Sequence, residues 1–200
     1  MKALWKWITD LLSGLLGGLK VLGEQSDLNS SNASTSPALP KSSPQPTPAS
    51  AKKPSSVEED FQQQLDQRGI RYFKAAECLF LGASNKVYKN NYLPPKSLWK
   101  NFWPTIALAD TARKRIGKPL RISSGFRSPA YNKSVGGVKN SQHVQFRAID
   151  ISAPRSTLRE LYAELLDLRR EGHKIAIGRY ATFIHIDTRG NNASWGTVTY

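Results

Sequence analysis

The 200-residue chain is poor in several residue types at once: one cysteine, one methionine and three histidines. A single cysteine, Cys78, excludes an internal disulfide and leaves the redox compartment unread; a buried thiol is its expected state. Acidic residues are few, 15 against 29 lysines and arginines, which gives a net charge of +14. A field of that sign attracts polyanions. The features that specify nucleic-acid binding are nevertheless missing: there is no zinc-finger spacing, no RNP-like aromatic strand and no lysine block. Nucleic acid is therefore not the expected partner, and anionic cell wall or membrane surface fits the charge equally well. The chain also lacks an apolar run of the roughly 20 residues that a spanning helix needs, because Asp10 and Lys20 interrupt the leucine-rich start. No internal repeat is evident.

Composition divides the chain into three parts. Residues 1–23 place Leu4, Ile8, Leu11, Leu12, Leu15, Leu19 and Leu22 at helical spacing, with Trp5 and Trp7 near the start and lysines on the other side. The pattern is that of a helix lying on an anionic membrane surface; a signal-like segment or uncleaved anchor and a soluble packing helix stay open beside it. Residues 24–56 contain ten serines and six prolines in 33 positions and no aromatic residue. Such a stretch cannot bury enough apolar surface to offset chain entropy, and a disordered tether is expected. Residues 57–200 remain as one domain, long enough for a core, expected to be monomeric, and they carry 23 of the basic residues against 12 acids.

Within that domain a short helix is expected from Val57 to Arg68, with Ser55 or Ser56 as cap and Glu58, Glu59 and Asp60 at its positive end. Another short element is expected over Tyr72 to Leu81, and a loop over Lys86 to Pro95. Ser97 to Ile116 reads as the principal helix, with Pro104 marking a kink or a start and Gly117 the end. Ser156 to Gly172 reads as a second helix. Strands are expected at Leu120–Ser123, Lys174–Ile177 and Ala181–Thr188, besides the stretch around Ala148–Ser152. The fold class is α+β: an antiparallel sheet carrying the site, with helices packed on it.

The chemistry concentrates in two stretches, SQHVQFRAIDIS from Ser141 and FIHIDTRG from Phe183. The strand period of two puts His185 and Asp187 on one face and Ile184 and Ile186 on the other. Asp150 likewise faces away from Ile149 and Ile151. Two such strands side by side bring Asp150 to His185, and His143 can fold over from the preceding turn. Two imidazoles and one carboxylate, with a fourth position open, compose a catalytic rather than a structural zinc shell. The competing reading takes them as ordinary polar residues at strand ends. His173, after a helix, is expected to be exposed.

Ser141, His143, Ala148 and Asp150 match the motif Ser-x-His-x-x-Gly-x-Ala-x-Asp of the M15 zinc peptidases, the D-alanyl-D-alanine carboxypeptidase type, whose fold is shared with the hedgehog signalling domain. The segment Ser123 to Pro129, SSGFRSP, resembles the family's Ser-Gly-Tyr-Arg-Ser-Pro, and Asn132 with Gly136 and Gly137 fits the family's next asparagine and glycine pair. FIHIDTRG and Trp195 resemble the closing segment. The resemblance runs from about Phe73 to Trp195. One departure stands out: the motif glycine, a residue suited to a tight turn or close approach, is Phe146 here. The resemblance implies Zn²⁺ on His143, Asp150 and His185, and Arg127 holding a substrate carboxylate, with an internal salt bridge as its alternative. Ser141 either binds the same ligand end or caps the turn. Many relatives place a glutamate three residues before the last histidine, where this chain has Thr182. Asp187 is then the available general base, and orienting a histidine is its competing role. Tyr131 and Trp195 are expected to pack.

The expected function is zinc-dependent hydrolysis of peptide bonds in bacterial peptidoglycan, at a D-amino-acid-containing stem peptide or cross-link. The cell envelope, or a phage lysis enzyme, is the expected setting. The alternative is a catalytically impaired, hedgehog-like module that binds wall without cutting it.

Overall fold

The computed structural model describes residues 56–200. The membrane-surface segment expected over 1–23 and all but the last residue of the tether expected over 24–56 lie outside the described residues.

Ser56 opens the described chain as a helix cap: its Oγ accepts from Glu59 N, and the Glu59 carboxylate accepts from Ser56 N at 2.7 Å. This reciprocal box satisfies two donors that a helix start leaves unpaired. The helix it opens, α1 (Val57–Gln67), buries Phe61 and Leu65. Two single-turn helices come next, α2 (Ala75–Cys78) and α3 (Asn85–Tyr88), the second overlapping the loop expected from Lys86 to Pro95. A 3₁₀ turn over Lys96–Leu98 then leads into α4 (Trp99–Ile116), which Gly117 ends in the left-handed conformation. Pro104 neither starts nor ends α4 but lies inside it. After β1 (Arg121–Ser124) come α5 (Pro129–Ser134), β2 (Ala148–Ser152), α6 (Arg155–Arg170), β3 (Ala176–Arg179), β4 (Phe183–Asp187) and β5 (Ser194–Trp195).

The strands form one five-stranded sheet in the order β1-β2-β4-β3-β5. Its pairings are antiparallel except for β3 with β5, so the sheet is mixed where an antiparallel one was expected. The overall class is α+β. Helices α4 and α6 pack on each other, α4 against β2 and α6 against β4. Ile149, Ile151, Ile177, Ile184 and Ile186 are all buried, together with Leu158, Leu161, Leu165 and Leu168 from α6. Asp110, buried on α4, accepts backbone N–H bonds from Arg71 and Tyr72 and so fastens the chain between α1 and α2 to the principal helix. Cys78 is buried, as expected, and its surroundings raise its pKa above the usual thiol range, burial being the main cause.

Phe146 takes the place of the motif glycine at a backbone position that suits glycine. Its φ is +50°, in the left-handed region where a side chain costs roughly 1–2 kcal/mol. The phenylalanine is fully buried, stacked on Phe102 with ring centroids 4.2 Å apart and an interplanar angle of 10°. Phe126 and Phe61 complete the cluster at 6.0 and 6.2 Å. Backbone strain at the turn is thus offset by aromatic burial, partly against a ring that α1 supplies. Removing a buried phenylalanine costs about 3–5 kcal/mol, of which relief of strain returns about 1–2. Phe146→Gly should therefore restore the motif residue yet destabilise the protein by about 1–4 kcal/mol in denaturant titration, with the m-value unchanged.

Candidate metal centre

The register of β2 against β4 sets Asp150 directly opposite His185, with Ala148 opposite Asp187. His143 arrives from a turn in which Val144 N and Phe146 N donate to Ser141 O and His143 O. The three donor atoms then converge. His143 Nε2 lies 3.1 Å from Asp150 Oδ1 and 3.1 Å from His185 Nδ1, and His185 Nδ1 lies 2.8 Å from Asp150 Oδ1. All three residues are buried. Tetrahedral zinc with bonds of about 2.0–2.2 Å would hold its ligand atoms about 3.3–3.6 Å apart, so the triangle is tighter than a zinc shell and its edges would open by about 0.2–0.8 Å to accept one.

Every far atom of the three ligands is anchored. His143 Nδ1 donates to Gly125 O at 2.7 Å, which leaves Nε2 as the free nitrogen. His185 Nε2 donates to Asp187 Oδ2 at 3.0 Å, which leaves Nδ1. Asp150 Oδ2 accepts from Arg127 Nη2 at 2.5 Å, which leaves Oδ1. Outer partners of this kind set tautomer and ring orientation in metal sites.

Electrostatics point the same way. Burial lowers the His143 pKa and outweighs the pull of Asp150, so the ring is neutral. At His185 burial also lowers the pKa, but Asp150 and Asp187 together outweigh it and the net shift is upward. Burial pushes Asp150 up, and the two histidines bring it well below the usual carboxylate range. The free atoms of the two rings and the carboxylate thus point at one spot, the place a cation would take. The residues fit a zinc ion.

The centre lies on a cleft of about 510 Å³ whose lining also includes Arg127, Ser141, Tyr180, Arg189 and Trp195. Loop residues Val135 to Val138 form part of its wall. That loop is pinned by Asn132, which donates from Nδ2 to Val138 O at 3.0 Å and accepts from Gly137 N through its backbone carbonyl. A Cβ on Gly137 would fall 2.0 Å from Asn132 Oδ1, so the glycine after the motif asparagine is required by close approach.

Ser141 is on the cleft as well, and its Oγ accepts from His143 N at 3.3 Å, a turn contact. Arg127 is on the cleft but spends Nε on Ser124 Oγ and Nη2 on Asp150. The Ser-Pro after it is a helix start: Ser128 caps α5 by accepting from Tyr131 N, with Pro129 in the first turn. Asp187, expected as general base, is fully buried, does not line the cleft, and stands behind His185. Its oxygens also accept from Arg189 Nε at 2.8 Å and Nη2 at 2.6 Å. Burial raises its pKa, but the hydrogen bonds from Arg189 and His185 and their charges bring it down to about 2. Glu160 and Glu164 of α6 pair with Lys118 and Arg115 and do not line the cleft.

Three contributors were not singled out from sequence as cleft residues. Arg189 lies near the end of the FIHIDTRG stretch and was visible there as a basic residue beside the motif. Tyr180 had no signal, because its place depends on the turn between β3 and β4. Trp195 was expected only to pack, and it does so against His185, with ring centroids 5.3 Å apart, while also facing the cleft.

A buried group of two histidines and one carboxylate with an open side could hold one metal ion, in the donor set of catalytic zinc sites. A family model for Peptidase M15 matches residues 92–187, a stretch that contains His143, Asp150 and His185, and supports an M15-type peptidase domain there. No curated protein matches the chain.

Zinc and a proton should compete for His185. The apparent zinc affinity should therefore fall as pH falls, beginning above the ordinary imidazole pKa of about 6.5 because the folded value is raised. Calorimetric titration in buffers of different ionisation enthalpy reads the proton directly. Asp187→Asn should weaken zinc binding by on the order of 10- to 100-fold. Wild-type zinc affinity together with lost activity would return the base role to Asp187.

Proposed function

We propose that the protein is a zinc-dependent peptidase that hydrolyses peptide bonds of bacterial peptidoglycan at D-amino-acid-containing stem peptides or cross-links. The observation that carries this reading is the convergence of His143 Nε2, Asp150 Oδ1 and His185 Nδ1 on an open cleft, with each opposite atom anchored. A bound zinc supplies a Lewis acid for the scissile carbonyl and lowers the pKa of water. The chain's own residues hold it and orient the substrate. Arg127 keeps Asp150 turned so that Oδ1 faces the histidines, and its Nη1, which has no partner among the described residues, is directed to a substrate carboxylate. Asp187 is a positioning residue that holds His185 in the tautomer with Nδ1 free. Ser141 holds the turn that carries His143.

The positive domain suits a polyanionic wall, and residues 1–23 would keep the enzyme near an anionic membrane surface in the cell envelope. A phage lysis enzyme is an equivalent setting. One observation favours a second reading, a wall-binding module of hedgehog-like fold that does not cut: among the described residues the only carboxylate lining the cleft is Asp150, itself a metal ligand.

The full chain should release peptide fragments from purified peptidoglycan in the presence of zinc, and release should stop on addition of chelator, with products identified by mass. Sedimentation with the wall without any release would select the binding module.

A further inference from the structure

The cleft does not end at the metal ligands. In the strand order β1-β2-β4-β3-β5, Arg127 comes after β1 at one side, Asp150 and His185 occupy the middle, and Gly178 of β3 with Trp195 of β5 lies at the other. At that far end Trp195 occupies space that only a glycine leaves, since a Cβ on Gly178 would fall 2.5 Å from the indole ring. The indole Nε1 donates to the Tyr180 hydroxyl at 3.0 Å, and the Tyr180 ring stacks on Phe183 at 4.3 Å and 12°. Because the Tyr180 oxygen already accepts the indole hydrogen, its own hydrogen is available to another acceptor. Tyr180 is 40% exposed and lines the cleft. Beside it, Arg189 lies 5.2 Å over the Trp195 ring. Asp187 takes its Nε and Nη2, so its guanidinium plane is fixed while Nη1 has no partner among the described residues. Among those residues no carboxylate lines this end of the cleft. A hydroxyl donor, the guanidinium edge that the Asp187 ion pair leaves open and an aromatic face make an anion subsite.

We propose that Tyr180, Arg189 and Trp195 form a second anchoring subsite, which holds a carboxylate on the opposite side of the scissile bond from the one held at Arg127. The preferred substrate is then a peptide carrying an anionic group on each side of the bond cut. This rests on the peptidase reading of the same cleft and adds what that cleft selects.

The test compares N-acetyl-D-alanyl-D-alanine with N-succinyl-D-alanyl-D-alanine, which adds one carboxylate at the far side, as ligands of the metal-free full-length protein in calorimetric titration. The succinyl peptide should bind about tenfold more tightly, the scale of one charge-assisted contact. Arg189→Gln and Tyr180→Phe should each bring the ratio of the two affinities close to one. Thermal melting checks that both variants fold, and if Arg189→Gln does not, Tyr180→Phe decides, since it keeps the ring on Phe183 and removes only the hydroxyl. Equal affinities in the wild type, binding of neither peptide, or a preference that survives in the folded variants overturns the inference. Zinc-dependent release of wall peptides by a protein without that preference leaves the peptidase reading intact. A succinyl preference without any cleavage removes the peptidase reading alone.

Discussion

Three lone pairs held within about 3 Å of one another repel unless a cation lies between them, and that constraint shapes the domain around it. The antiparallel pairing of β2 and β4 creates the crowding by placing Asp150 opposite His185. The turn before β2 completes it with His143. None of the three can relieve the repulsion by turning, because Gly125, Asp187 and Arg127 hold their other polar atoms. The upward shift at His185 and the downward shift at His143 are the two sides of this arrangement: two carboxylate neighbours favour the charged form of His185, and burial disfavours it at His143.

The outer layer is as ordered as the inner one. His185 leads to Asp187, Asp187 to Arg189, and Arg189 to Trp195, so a chain of fixed groups runs from the buried centre back to the cleft. On the other side Arg127 joins Asp150 to Ser124 on β1. Thr105 of α4 adds a third tie, donating to Arg147 O while its hydroxyl lies 2.8 Å from that of Thr188, which clamps the entry to β2 and the exit from β4 against the principal helix. The sheet therefore sets ligand positions, and side chains from beyond the two strands set ligand orientations.

Much of this was legible in the chain because it obeys short-range rules. Period-two alternation around His185 and Asp150 predicts both strands and their facing, and the structure adds the register that makes the two residues partners. Leucine spacing locates α6, and Gly117 marks the end of α4. What escaped depends on contacts distant in sequence. Alternation places Asp187 on the same strand face as His185, but whether it meets water or the back of a histidine is decided by Arg189 folding over it. The parallel pairing of β5 with β3 involves two residues after an asparagine-rich turn, too few to show a pattern. Asn91, within a stretch read as plain loop, bonds Leu81 O, Phe126 O and Ser128 N, and nothing local distinguishes it from its neighbour Asn90.

The left-handed turn at Phe146 also determines what counts as one cooperative unit. The stretch matched by the family begins at residue 92, yet Phe61, Leu65, Ile70, Phe73 and Cys78 belong to the same buried cluster as Phe146 and Ile149. A glycine at position 146 would leave the turn indifferent to what lies upstream. With phenylalanine there, the ring beside the His143 turn takes part of its packing from α1, so loosening of the first helix reaches a candidate metal ligand within three residues. The functional boundary of the domain is thus drawn by an aromatic contact and lies well ahead of the first motif residue.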